Sequence, residues 1–345
     1  MAPPSRSQVG ASLRGASDEH LLGLRFADLG LGLKGSWMET ELQRLHGQLE
    51  RRGLRFKPHA WLSTDWFSPI GVPGIAVPFY LAHPRLIRLE RRLMLEVEGG
   101  PRDEFRRLLR HECGHAIQQA FRLQRRTRWR QHFGSSGEHY PESYRPDPRS
   151  RRFVQHLRMF YAQCHPDEDF AETFAVWLGA RKTWRSQYAG WPALKKLEYV
   201  DELMASLAGC VAPVRSRREV RNLPRLKMTL AEHYAEREER YKPRAPSRYD
   251  CDLRALFAAK RRHGRALKAA SLLKKQRAEI RRRVARWTGE HQQVLDQVLE
   301  EMILRCAELD LRARGSQQAL LADFSVLLAA RTMAALHAER DWIAV

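Results

Sequence analysis

The chain has 345 residues and only five cysteines, an odd number with no C-x-x-C pair among them. That excludes a disulfide framework and suits a reducing, cytoplasmic setting. No apolar run approaches the ~18–20 residues of a membrane span, so no transmembrane segment is expected. Residues 1–20 have no apolar core of the kind a secretory leader needs and read as a disordered tail. Internal repeats and a sustained heptad are also missing, which excludes a solenoid and a long coiled coil. What the chain does have is 43% hydrophobic residues and nine tryptophans, enough for two domains that each bury a core.

Against that background one octapeptide stands out: Arg110-His111-Glu112-Cys113-Gly114-His115-Ala116-Ile117. It has the form H-E-x-x-H. On a helix, residues four apart share a face about one turn, ~5.4 Å, from each other. His111 and His115 can therefore turn imidazole nitrogens towards one ion, a donor pair that suits Zn²⁺, with Glu112 beside them to accept a proton from a water. The flanks predict a helix. Gly99-Gly100-Pro101 opens it, Asp103 and Glu104 supply acids to its first turn, and Phe105, Leu108, Leu109, Ala116, Ile117 and Ala120 recur at helical spacing. Cys113 fits a small packing residue on that helix, since His, His and a carboxylate complete a donor set without it.

The third donor has a candidate in Pro166-Asp167-Glu168-Asp169-Phe170-Ala171-Glu172-Thr173-Phe174. Pro166 starts a second helix, and Phe170, Phe174, Trp177 and Leu178 mark its packed face. Glu168 and Glu172 lie one turn apart on another face, an arrangement in which one carboxylate binds a metal and the other holds a ligand histidine. Asp167 and Asp169 are expected to serve the helix N-terminus. An acidic first turn without any metal remains the simpler alternative for this stretch.

These two blocks, with Trp66-Phe67-Ser68-Pro69-Ile70-Gly71-Val72-Pro73-Gly74 through Tyr80, resemble bacterial zinc-binding metallopeptidases of the HExxH-plus-Glu kind, within the wider gluzincin group. The likeness covers roughly residues 20–210. It implies an α+β fold: a zincin-like metallopeptidase domain over residues 21–241, with a small sheet and the HExxH helix. It also implies one Zn²⁺ per chain held by His111, His115 and Glu168, with Glu172 in support. The activity implied is hydrolysis of a peptide or protein substrate with Glu112 as general base. A tyrosine seven residues before the ligand Glu lies near the metal in some relatives, and Tyr161 stands there. Tyr161 or His165 is the candidate to stabilise an oxyanion.

Elsewhere the pattern predicts a helix over 37–52 and strands at His59–Ser63 and Ile75–Leu81. Pro78 favours an edge, where an extended peptide could be added. Residues 84–98 fit either a helix or a strand. His132–Arg152, rich in Gly and Pro, reads as a long loop between the two motif helices, either a lid or a surface insertion. A helix follows over 192–207, then a linker over 242–249 and an all-α bundle over 250–345, with helices at 250–287, 291–314 and 317–340. Its packed faces are marked by Val294, Val298, Met302, Ile303, Cys306 and Leu309, and by Leu320, Leu321, Phe324, Leu327 and Leu328.

Residues 211–290 hold 24 Lys and Arg against 9 Asp and Glu, most of the chain's net +21. Lys260-Arg261-Arg262 and Arg281-Arg282-Arg283 could contact the phosphates of a nucleic acid, weakly and without sequence preference, or another anionic partner. No base-reading motif or aromatic platform accompanies them, so a solvated helix face is the competing account. Two function classes therefore stand: a zinc peptidase, and a non-catalytic basic protein that uses the zincin fold as a binding scaffold.

Overall fold

The structure, a computed structural model, describes residues 13–141, 143–144, 146–147, 149–179, 183–240, 249–258, 267–337 and 343–344. They divide into two compact units. One comprises residues up to Leu93 with Val97–His233, and the other Tyr234–Ile343 with Met94–Glu96.

The first unit opens with α1 (Asp18–Gly23), whose N-cap Ser17 accepts a hydrogen bond from the His20 N–H at 3.1 Å. Leu13 is buried ahead of it. Residues 13–20 are thus structured where composition suggested a tail, and the rest of that expected tail lies outside the described residues. Helix α2 (Trp37–Glu50) starts at Ser36, which accepts from the Glu39 N–H, while Glu39 reaches back to the Gly35 N–H at 2.6 Å.

Strands β1 (His59–Ser63) and β2 (Gly74–Pro78) pair in parallel, with His59 opposite Gly74 and Ser63 opposite Pro78. Pro78 ends the strand, having no N–H to continue a ladder, and Phe79–Ala82 turn into a 3₁₀ segment. Every residue of β2 is buried, and the Ala76 N–H is bonded to the Phe67 carbonyl at 2.8 Å. The chain's own Phe67–Ser68 segment therefore lies where an edge strand was expected to accept a peptide. Residues Pro84–Leu93, ambiguous in sequence, form helix α3.

Helix α4 (Arg102–Phe121) carries the H-E-x-x-H motif, and the six apolar residues that predicted it are all buried. It is tied to α2 through the buried Glu41, which accepts from Arg106 at 2.8 and 3.0 Å and from Arg102 at 3.2 Å. Helix α5 (Thr127–Phe133) follows, then the long loop, of which Ser143–Tyr144 is a short strand. Helix α6 (Pro166–Gly179) is buried from Glu168 through Leu178, not on one face alone. Trp129 and Phe133 of α5 meet Phe170 at ring-centroid distances of 5.8 and 5.4 Å. Helix α7 (Ala193–Ser206) covers α6 from another direction, with Lys196 bonded to Asp169. The division between the units falls inside α8 (Leu230–Arg240), ahead of the expected linker, most of which lies outside the described residues.

In the second unit the expected helix 250–287 is broken into α9 (Asp250–Leu256) and α10 (Ala269–Thr288). Phe257 turns extended and buries its ring, and Ala258 exchanges backbone hydrogen bonds with Arg312 at 3.0 and 2.7 Å. Leu267 and Ala269 bond the neighbouring Ala313 and Leu311. Backbone pairing to 311–313 takes the place of helical bonds there. Helices α11 (Gln292–Glu308), shorter than expected, and α12 (Gln317–His337) follow, and residues 338–340 of the last expected helix lie outside the described residues. Val298, Leu299, Met302, Ile303, Cys306, Phe324 and Leu328 belong to one apolar core with Leu273, Ile280 and Val284 of α10. Among the described residues no helix is long and apolar enough to cross a membrane.

Candidate metal centre

The centre is made by the crossing of α4 and α6, and a glycine allows them to come close. A Cβ built on Gly114 would lie 2.7 Å from the Ala171 Cα and 3.0 Å from the Ala171 carbonyl oxygen, both backbone atoms. Only glycine lets the helices approach at that point. The crossing brings Glu168 and Glu172, one turn apart on α6, against His111 and His115, one turn apart on α4.

Three donor atoms converge. His111 Nε2 is 3.0 Å from Glu168 Oε2, His115 Nε2 is 3.2 Å from the same oxygen, and the two Nε2 atoms are 3.1 Å apart. An ion held tetrahedrally at ~2.0–2.1 Å from each donor would separate them by ~3.3 Å, so this triangle matches one face of a zinc site. Among the described residues these three side chains are the group of His, Cys, Asp or Glu placed to hold a metal. Cys113 is buried in the helix packing, which pushes its thiol up and keeps it neutral.

The surroundings fix the orientation of His111. His111 Nδ1 is 2.8 Å from Glu172 Oε1, so that nitrogen carries the proton and Nε2 presents its lone pair. Glu172 is fully buried, and its other oxygen accepts the Leu157 N–H at 2.7 Å. The electrostatics favour positive charge at the triangle. Burial opposes charging either imidazole, but the carboxylates of Glu168 and Glu172 outweigh it for His111, and Glu168 does so for His115, raising both. Burial likewise works against the Glu168 carboxylate, yet the two histidines hold it well below the usual range.

Glu112, on the same helix, is buried, and its Oε2 has no hydrogen-bond partner among the described residues. Burial raises its carboxyl, against the pull of His115 and His111. A buried carboxylate oxygen left open beside three metal donors fits a group that handles the proton of a water held there.

Tyr161 lies beside the site, its ring centroid 5.7 Å from that of His111. It follows Met159 and Phe160, which both take left-handed backbone with φ of 65° and 56°. That is an uncommon conformation for side chains of this size, at about 1–3 kcal/mol each. Tyr144 bonds the Met159 carbonyl at 2.8 Å and so helps hold the segment. His165, the other oxyanion candidate, has both nitrogens engaged: Nδ1 accepts the Asp167 N–H at 3.1 Å and Nε2 faces the Glu138 carbonyl at 3.2 Å. Asp167 and Asp169 take side-chain partners. Asp167 accepts from Gln118 at 2.7 Å and Ser136 at 2.9 Å, and Asp169 is buried against Lys196. Pattern reasoning missed Tyr140, whose hydroxyl donates to Glu168 Oε1 at 2.7 Å. The one signal for it was the length and composition of the loop it sits on.

His111, His115 and Glu168 form a helix-borne group that could hold a metal ion, with the open Oε2 of Glu112 nearby. Residues 102–212 match the model of a family described as putative zinc-binding metallo-peptidase, as the resemblance read from the motifs implied. The match spans about a third of the chain and contains every donor just described together with Tyr140 and Tyr161. No curated protein matches the chain, and no solved structure does.

Proposed function

We propose that the protein is a zinc-dependent peptidase whose metal is held by His111, His115 and Glu168. The observation that carries this reading is the triangle of donor atoms 3.0–3.2 Å apart with Glu112 Oε2 buried and open beside it. Bound zinc would supply a Lewis acid that polarises the scissile carbonyl and lowers the pKa of water. Glu112 takes the proton of the attacking water and returns it to the leaving amine. Glu172 keeps His111 in the tautomer that offers Nε2. With substrate bound, Tyr161, whose hydroxyl burial and nearby Glu168 hold protonated, turns that proton from the neighbouring Tyr140 oxygen to the oxyanion that develops on the carbonyl.

Hydrolysis of an unfolded protein substrate tests this directly. Chelation should abolish it and added zinc should restore it. Glu112→Gln should keep the metal and lose activity by ~10²-fold or more, since an amide cannot accept the proton. Wild-type turnover in that variant would rule out the role given to Glu112.

A second reading, binding of an anionic partner such as nucleic acid, draws support from a cavity of about 300 Å³ in the first unit. It is lined by Arg55, Lys57, Arg215 and Arg217 with no acidic residue among its walls. The basic helix α10 offers less than its sequence suggested. Arg277 and Arg281 both bond Asp296, and Arg283 bonds Glu279. Lys260-Arg261-Arg262 lies outside the described residues. Any such binding should be weak, sequence-independent and steeply salt-dependent.

A further inference from the structure

The loop after α5 places one residue against the metal donors that neither the motif nor its spacing singled out. Three contacts seat this loop on the start of α6: Ser136 Oγ donates to Asp167 Oδ2 at 2.9 Å, the Glu138 carbonyl faces His165 Nε2 at 3.2 Å, and the Tyr140 ring packs on His165 at a centroid distance of 4.8 Å. Because His165 Nδ1 accepts the Asp167 N–H, its proton sits on Nε2 and is given to Glu138. So held, the Tyr140 hydroxyl donates to Glu168 Oε1 at 2.7 Å, the carboxylate oxygen that His111 and His115 do not touch. It also lies 3.2 Å from the Tyr161 hydroxyl.

A phenol has one proton. With that proton on Glu168, Tyr140 can meet Tyr161 only as acceptor, so the order runs Tyr161 to Tyr140 to Glu168. We infer that Tyr140 is a positioning residue that keeps Glu168 a one-oxygen ligand and fixes where Tyr161 points its hydroxyl. The consequence for the centre follows from counting. A carboxylate with both oxygens free can chelate and fill the position that a catalytic zinc must leave for water. Tyr140 occupies Oε1, so Glu168 contributes Oε2 alone. This inference rests on the zinc-peptidase reading, but it concerns ligand geometry and is open to test without turnover.

The test is Tyr140→Phe in the full chain, which keeps the ring on His165 and removes only the hydroxyl. Zinc affinity by competition with a chromogenic chelator should fall ~10-fold, the lower end of what loss of a bond to a metal ligand does. The Co²⁺-substituted variant should show a weaker visible band than wild type, since a chelating Glu168 raises the coordination number above four. Tyr161→Phe serves as comparison and should leave both readouts close to wild type. Unchanged affinity together with an unchanged cobalt band in Tyr140→Phe would overturn the assignment while leaving the metal centre intact. A wild-type protein that takes up neither zinc nor cobalt would overturn it along with the peptidase reading.

Discussion

In the proposed zinc site the two ring nitrogens of His111 do different work, and that division explains why Glu172 matters without facing the metal. Glu172 accepts from His111 Nδ1 and from the Leu157 N–H, so it links the ligand to the strained turn that presents Tyr161. Glu172→Ala leaves both donors unsatisfied in a buried setting. Zinc affinity should drop ~10–100-fold, measured by chelator competition, with the metal still detectable at saturating concentrations. An affinity equal to wild type would mean that His111 needs no such support. His111, Glu112 and His115 stood out in the sequence because the roles proposed for them follow from a local spacing on one helix, two histidines four apart with a glutamate beside the first. Glu168 and Glu172 were legible only as a spacing. Tyr140 was not, because its position depends on loop contacts between residues 134–140 and 165–168 that no period encodes.

At the scale of elements, the site is the α4–α6 crossing. Gly114 sits inside the motif at a letter that the zinc chemistry leaves unspecified, but the packing does not. Gly114→Ala would put a methyl 2.7 Å from the Ala171 backbone, which no side-chain rotation relieves. The helices must part, and overpacking of this kind costs about 1–3 kcal/mol. A lower melting temperature and weaker zinc binding should appear together. Stability lost with zinc affinity unchanged would show that the centre tolerates a wider crossing. Helix positions here were well read from apolar periodicity and from Pro and Gly punctuation. The helix expected across 250–287 failed for a physical reason: Phe257 is drawn into the core and Ala258 pairs with Arg312, a long-range preference that local propensity does not contain.

Across the whole molecule, net charge of +21 is a weaker guide to partners than its arrangement. In the second unit Asp296 gathers Arg277 at 2.5 and 2.8 Å and Arg281 at 2.8 Å. Burial alone would raise the Asp296 carboxyl, but these guanidinium bonds hold it below the ordinary range. A depressed folded value means the pairing stabilises at pH above the unfolded carboxylate value of ~3.9 and is lost as pH falls through the folded one. In urea titrations of the full chain, wild type should therefore lose more stability than Asp296→Asn between about pH 6 and pH 3. Equal losses would place the acid sensitivity elsewhere. For the basic cavity, Arg215→Glu with Arg217→Glu should abolish low-salt binding of a labelled single strand in fluorescence anisotropy. Binding retained in that double variant would assign the anionic contact to other residues.

The zinc-peptidase reading depends on a metal at the triangle, and metal content by mass spectrometry is the most direct measurement of it. After dialysis against limiting zinc, wild type and Glu112→Gln should each carry about one zinc per chain, His111→Ala and His115→Ala close to none, and Glu168→Ala less than Glu172→Ala. A wild-type chain without zinc, or a Glu168→Ala chain that holds as much as wild type, would contradict the donor set on which the proposed function stands.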